Sequence, residues 1–257
     1  VEDSRGQAKY LDGWNGLDSR AVQGKLLACG IKVPYQKVTF VLADDSHWDK
    51  IDPVKEWLDD LVWDKVPRIN DLANHITCKD QKRWRNNFKK HLIRCVRQLY
   101  LEEVNRYALI LHSAEQSNGK STFIRYIVKA GVMKHYYSED LPKEGSEFGV
   151  ARFVSMNAHA NMEELDGFGK KDVDHLKALT TREHVSMRKM RTDAMFTVPR
   201  RANFWGSTNK AQFLTDTSNT RWIINEVERI DWGYTSLDID QVWAEAVVLY
   251  KGGAECD

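Results

Sequence analysis

Cysteine is scarce in this chain, and its scarcity excludes two classes of architecture. The four cysteines, Cys29, Cys78, Cys95 and Cys256, stand far apart among 257 residues with no C-x-x-C pair, which argues against a zinc site and against a disulfide framework. A reducing cytoplasm is the expected setting. An excess of one charge is also missing: 38 Lys and Arg against 37 Asp and Glu leave a formal +1. The overall balance therefore selects neither nucleic acid nor membrane, and local clusters must carry that argument. No apolar run approaches the length of a membrane-spanning helix, and residues 1–10 are polar with mixed charge, so neither a span nor a signal peptide is expected. Internal repeats and low-complexity tracts are absent as well, which leaves element patterns as the guide to organisation. The chain begins on Val1 rather than Met, as a piece of a longer protein would.

What the chain does have is a phosphate-loop pattern. Tyr107–Leu111 is short, aliphatic and aromatic, as a buried strand should be, and Ser113–Asn118 is small and polar. From Gly119 onward Phe123, Ile124, Ile127 and Val128 recur on one helical face, so the loop ends on a helix N-terminus. Free backbone N–H groups and the positive end of the helix dipole point there, and they bind a phosphate chain with little side-chain help. The run Ala114, Glu115, Gln116, Ser117, Asn118, Gly119, Lys120, Ser121, followed by Thr122, fits the template G-x-x-x-x-G-K-[ST] at every defined position but the first. In that pattern Lys120 reaches the β and γ phosphates of ATP, and the Ser121 hydroxyl holds Mg2+. Ala114 replaces the first glycine. Alanine tolerates positive φ poorly, so the loop must enter through another backbone conformation or carry strain.

Around this loop the chain divides into four parts: 1–50, a linker or partial domain; 51–106, a helical segment; 107–230, a P-loop ATPase core; 231–257, a C-terminal helix and tail. Asp52-Pro53 followed by Val54, Trp57, Leu58, Leu61 and Val62 is an N-capped helix with an apolar stripe. Trp84, Phe88, Leu92, Val96 and Leu99 form a second stripe, and one strand is expected at Lys37–Leu42. From Tyr107 apolar runs alternate with helical patterns, which predicts an α/β fold built on a parallel sheet.

A phosphate loop with magnesium needs an acid near the end of a neighbouring strand, to orient the metal and polarise the attacking water. Glu163 and Glu164, in Met162-Glu163-Glu164-Leu165-Asp166, are the candidates. Phe204–Asn209 is an apolar strand ending in small polar residues, where the Asn209 amide can position a water against the γ-phosphate. Two basic clusters remain. His184–Arg191 has alternating character and predicts a hairpin presenting Arg188, Lys189 and Arg191, suited to phosphate contacts without sequence preference. Lys82, Arg83, Arg85, Lys89, Lys90, Arg94 and Arg97 flank the Trp84-Phe88-Leu92 stripe and read as a solvated helix surface. The nine tryptophans read as core first and base-stacking platforms second.

Taken in order, Trp63-Asp64-Lys65-Val66-Pro67-Arg68, the phosphate loop, Glu164-Leu165-Asp166, Pro199-Arg200-Arg201, Ser207-Thr208-Asn209 and Asn219-Thr220-Arg221-Trp222 resemble the virulence-associated protein E family. That family is similar to the superfamily three helicases and the phage or plasmid primase-helicases of the AAA+ class. The resemblance implies an AAA+-like core whose nucleotide and magnesium contacts are Lys120 and Ser121, whose acid is Glu164 and whose polar sensor is Asn209. It also implies that Arg221 acts in trans on a neighbouring subunit's nucleotide, and that the Arg188–Arg191 hairpin meets single-stranded DNA in the channel of a ring, a hexamer. A primase domain or other replication proteins are the further partners it implies, in phages, plasmids or pathogenicity islands. Where relatives usually carry Gly-Asn-Arg-Arg this chain has Ser218-Asn219-Thr220-Arg221, and Asn161 stands where many have an acid. Two other readings use the same loop: a P-loop kinase, and a nucleotide-dependent binding module without turnover.

Overall fold

The computed structural model describes residues 19–43, 51–115, 118–139, 147–163, 178–188, 195–209 and 221–256. By its internal contacts the chain forms two units, Val1–Asp52 and Pro53–Asp257.

The first unit holds α1 (Ser19–Ala28) and α2 (Tyr35–Ala43), which pack together. The strand expected at Lys37–Leu42 is thus a helix. Its β-branched residues favour a strand, but the Pro34 carbonyl accepts from the N–H groups of Lys37 and Val38 and starts a helical turn. Thr39 then returns its hydroxyl to the Tyr35 carbonyl at 3.0 Å, the local bond by which a threonine is accommodated in a helix.

The second unit runs α3 (Pro53–Asp60), α4 (Ile69–Asn74), β1 (Ile76–Cys78), α5 (Gln81–Leu99), β2 (Ala108–His112), α6 (Lys120–Val128), a 3₁₀ turn at Gly131–Tyr136, β3 (Tyr137–Ser138), α7 (Glu147–Met156) and β4 (His159–Met162). It continues with β5 (His184–Arg188), β6 (Met195–Pro199), β7 (Asn203–Thr208), β8 (Trp222–Ile230), a 3₁₀ turn at Trp232–Ser236 and α8 (Ile239–Lys251). Six strands form one sheet in the order β1-β8-β2-β7-β4-β3. Every pairing in it is parallel except β1 with β8. The fold is therefore mixed α/β with a mostly parallel sheet, as the alternation after Tyr107 predicts. β1 was not expected: three residues are too few to display a period.

Both faces of the sheet are covered. Along β2, Leu109 and Leu111 join the core built with α5, α6 and α8, while Ala108 and Ile110 join Val150 and Val154 of α7 on the other side. That continuous burial is why the strand reads as an unbroken apolar run. All five residues of the predicted α5 stripe are buried. From β2 the chain passes through α6 toward β3 at one edge, whereas from β7 it returns to β8 on the other side of β2. The adjacent pair β2 and β7 is thus the point where strand order reverses, and in open α/β sheets ligands bind beyond the carboxyl ends of strands at such a point.

Trp84, Trp205 and Trp243 are fully buried, with their indole N–H groups donated to Ala73 O (2.8 Å), His159 Nδ1 (3.1 Å) and Ile127 O (3.0 Å). His159 is itself buried, and burial pushes its pKa down to about 3. His91, edge-on to Trp205 at 4.4 Å, is likewise held well below the ordinary imidazole value by burial and by Arg94. Both rings stay neutral in the fold, while in the unfolded chain they take up protons below about pH 6.5. As pH falls through that value the unfolded state gains protons that the folded state does not. Stability is therefore complete above the unfolded pKa and declines below it, by about 2 kcal/mol for His159 between pH 7 and 5, with His91 acting in the same direction. Urea unfolding should show the midpoint dropping over this interval, and less steeply in His91→Leu; a pH-independent midpoint would contradict the assignment.

Candidate nucleotide-binding site

The loop between β2 and α6 lies at the carboxyl end of β2, beside that of β7. Gly119 is the N-cap of α6 and adopts φ 88°, ψ 7°, a left-handed conformation that favours glycine. Ala114 needs no such conformation: the non-glycine residues with positive φ among those described are Lys65 and Leu101. The loop therefore enters by a different backbone path, and the strain expected from alanine does not arise. The Ser113 hydroxyl accepts from the Glu115 N–H at 3.2 Å, and the Ser113 N–H donates to the Thr208 carbonyl at 3.2 Å, so the loop's first turn is tied to β7.

Lys120 is 6% exposed. Its ammonium donates to the Glu115 carbonyl at 3.1 Å, to Asn118 Oδ1 at 3.0 Å and to Asn209 Oδ1 at 2.7 Å. These three acceptors are a backbone carbonyl and two side-chain amide oxygens. Asn118 Nδ2 is buried with no hydrogen-bond partner among the described residues, a donor inside the loop available to a phosphate oxygen. One residue further on, Ser121 Oγ lies 3.1 Å from Ser207 Oγ of β7. Lys120, Ser121, Ser207 and Asn209 thus converge on one strand end and one helix N-terminus. Gln116 and Ser117 lie outside the described residues, and Thr122 is exposed in the first turn of α6.

Glu163 follows β4, and its carboxylate is engaged. Oε1 accepts from Arg125 Nη2 at 2.6 Å and from Asn161 Nδ2 at 3.2 Å, and no hydrogen bond joins it to Ser121 among the described residues. Arg125 also grips Glu139, and this bond holds the Glu139 carboxyl below its usual range. Glu164 lies outside the described residues. No group of three or more His, Cys, Asp or Glu able to hold a metal occurs among the described residues. Magnesium at phosphate sites needs less, one or two protein oxygens plus the substrate's own phosphates, and Ser121 offers one such oxygen.

Arg221 is exposed and stands just before β8, at the opposite end of the sheet from the loop: Trp222 pairs with Ala108, and the Arg221 carbonyl accepts from the Ala108 N–H at 2.9 Å. The five residues of β2, at roughly 3.3 Å each, separate the two ends by about 15 Å. The hairpin predicted for His184–Arg191 is present as β5 and β6, paired antiparallel from His184–Pro199 to Arg188–Met195; Lys189 and Arg191 lie outside the described residues. Its base is pinned by Arg200. That side chain is 1% exposed and donates to the carbonyls of Asn105 (2.7 Å), Arg182 (2.9 Å) and Ala202 and to Gln98 Oε1 (3.2 Å). Burial pushes its pKa down to about 9, which still leaves it charged at neutral pH.

The profile of the virulence-associated protein E-like domain matches residues 58–257. The chain belongs to that family. Two solved structures similar to this virulence-associated protein E-like chain are the apo structure of the NrS-1 C terminal region and an A form apo structure of the same region. The first has TM-score 0.52 and 16% identity over 80% of this chain and 48% of the other. The second has TM-score 0.51 and 15% identity over 79% and 47%. At such identities the likeness is one of fold. The chain spans about half the length of the structures it matches. No curated protein matches its sequence.

In this virulence-associated protein E-like domain the basic residues of α5 do not form one surface. Lys82, Arg83 and Arg85 are exposed, but Arg94 is buried with its guanidinium over the Tyr107 ring at 4.3 Å, and Arg97 pairs with Glu103 at 2.9 Å. The solvated face expected along the whole helix is limited to its first turns, because the second half of α5 runs beneath α8 and the sheet. Sequence reasoning missed Arg125, although its position four residues after Ser121 puts it on the same helix face. It also missed any role for Trp232, which approaches the loop from over a hundred residues away, where no local signal exists.

Proposed function

We propose that the domain is an ATP-hydrolysing motor of the superfamily three, AAA+-like class, working as a ring on single-stranded DNA in replication of a mobile element. The observation that carries this reading is the meeting of Lys120, at the N-terminus of α6, with Asn209, at the end of β7, across the reversal point of a mostly parallel sheet. A lysine at that place binds β and γ phosphates, and an amide at that strand end orients the attacking water.

The loop fits the group it would hold. Its amides and the α6 dipole favour an anion, its lysine is positioned by oxygens of Glu115, Asn118 and Asn209, and Asn118 Nδ2 has no hydrogen-bond partner among the described residues. Ser121 supplies a hydroxyl for magnesium, with Glu164, the residue after Glu163, as the carboxylate. When bound, the metal spreads the charge of the phosphates and screens their repulsion. Glu164 takes a proton from the attacking water. Glu163, held by Arg125 and Asn161, has a positioning role at the end of β4 rather than a direct one. Arg221, too distant from its own loop, serves the nucleotide of the next subunit. Arg188, Lys189 and Arg191 at the β5–β6 hairpin contact the DNA backbone.

The test is ATP hydrolysis with and without single-stranded DNA. The motor reading expects stimulation; a P-loop kinase ignores DNA, and a binding module holds nucleotide without turning it over. Replacing Arg188, Lys189 and Arg191 together by Ala should weaken DNA binding and lower the slope of log affinity against log salt by about two, at roughly 0.7 per phosphate contact on a single strand. An unchanged slope would move the DNA path elsewhere, with Lys82–Arg85 next.

A further inference from the structure

Among the described tryptophans, Trp57 and Trp63 are half-buried and Trp232 is the exposed one, at 52%. Single exposed apolar residues are ordinary. This one is distinguished by what it touches and by how it is held. β8 pairs with β2 only as far as Glu226 opposite His112 and then continues to Ile230. Its last residues overshoot the end of β2 and carry the following 3₁₀ turn out over the phosphate loop. There the indole lies on Gly119: a Cβ added to that glycine would sit 2.8 Å from Trp232 Cζ2 and 2.9 Å from Cη2. On the same turn Trp232 stacks with Tyr234, centroids 6.0 Å apart at 30°, and Tyr234 is wedged edge-on against Phe123 and Tyr126 of α6.

The turn itself is clamped. The Asp231 carboxylate accepts from the Gly233 N–H at 3.2 Å and meets His75 Nδ1 at 2.8 Å, while the Asp231 N–H donates to the His75 carbonyl at 2.7 Å. A rigid aromatic ring is therefore braced against the one left-handed glycine of the loop, with about half of its surface open to solvent. A triphosphate held by the α6 N-terminus and Lys120 must send its nucleoside out of the loop past this rim.

We infer that Trp232 is the stacking platform for the base of the bound nucleotide, so that this indole, and not the loop alone, makes the site prefer a nucleoside triphosphate over a bare polyphosphate. This rests on the phosphate-loop reading above. Ring stacking needs a π face and no particular hydrogen-bond pattern, so the platform favours purines by their larger area without distinguishing adenine from guanine.

Equilibrium binding of ATP, GTP and inorganic tripolyphosphate, each with magnesium, tests it. Trp232→Ala should weaken ATP and GTP about five- to a hundredfold, the span of alanine effects at base–aromatic contacts, and leave tripolyphosphate affinity unchanged. Trp232→Phe, which keeps a ring, should retain most of the ATP affinity. Equal losses for ATP and tripolyphosphate would overturn the inference, because the indole would then merely prop Gly119. Unchanged ATP affinity in Trp232→Ala would also overturn it while leaving the phosphate loop standing. Wild-type protein that binds neither ATP nor tripolyphosphate would overturn both readings at once.

Discussion

Lys120→Ala is expected to lower ATP turnover by about a hundred- to a thousandfold, the cost of removing one preorganised charge from a site where phosphate charge develops. The reason lies in the environment of the ammonium. At 6% exposure it has already given up most of its water, and its partners include oxygens of Glu115, Asn118 and Asn209. A cation already desolvated and positioned has little left to reorganise when an anion arrives. Alanine also strands the Asn118 and Asn209 amide oxygens, so Lys120→Met, which retains the stem volume, is the companion variant. Phosphate release measured beside thermal unfolding should show both variants folded and inactive. Normal turnover in either would remove Lys120 from the site.

Arg221→Ala is expected to leave ATP binding nearly intact and to reduce hydrolysis about a thousandfold or more, the usual worth of an arginine supplied to the transferring phosphoryl group. Its place before β8, opposite the start of β2 and some five residues of strand from the loop, bars it from its own nucleotide. In the ring proposed above it meets the nucleotide of a neighbour. Mixing Arg221→Ala with Lys120→Ala should therefore restore part of the activity, since some interfaces then join an intact loop to an intact arginine. Two inactive variants that stay inactive when mixed would count against the ring interface.

Much of this architecture is legible in the residues because its signals are local. The α5 stripe is periodic over five positions and every one is buried; the run into β2 is continuous because both sheet faces are covered. The strand expected at Lys37–Leu42 failed for a local reason too: β-branched propensity yields when a preceding carbonyl and a Thr39 back-bond favour a turn of helix. The candidate site is different. The motif order marks Lys120 and Asn209, but their 2.7 Å bond spans 89 residues and depends on β7 lying beside β2, which strand order alone decides. The Arg125 link to Glu139 and Glu163 and the Trp232 contact with Gly119 are likewise products of topology. Arg200 shows the converse. In the sequence Pro199-Arg200-Arg201 marks only a place in the motif order, and the structure shows Arg200 buried and spent on backbone carbonyls.

The most direct test of the account is an equilibrium titration of magnesium ATP into the wild-type protein and into Lys120→Ala, with heat or nucleotide fluorescence as readout. The account predicts saturable binding of one nucleotide per chain in the wild type and its loss in the variant. No saturable binding to the wild type, or the same affinity in both proteins, would contradict it.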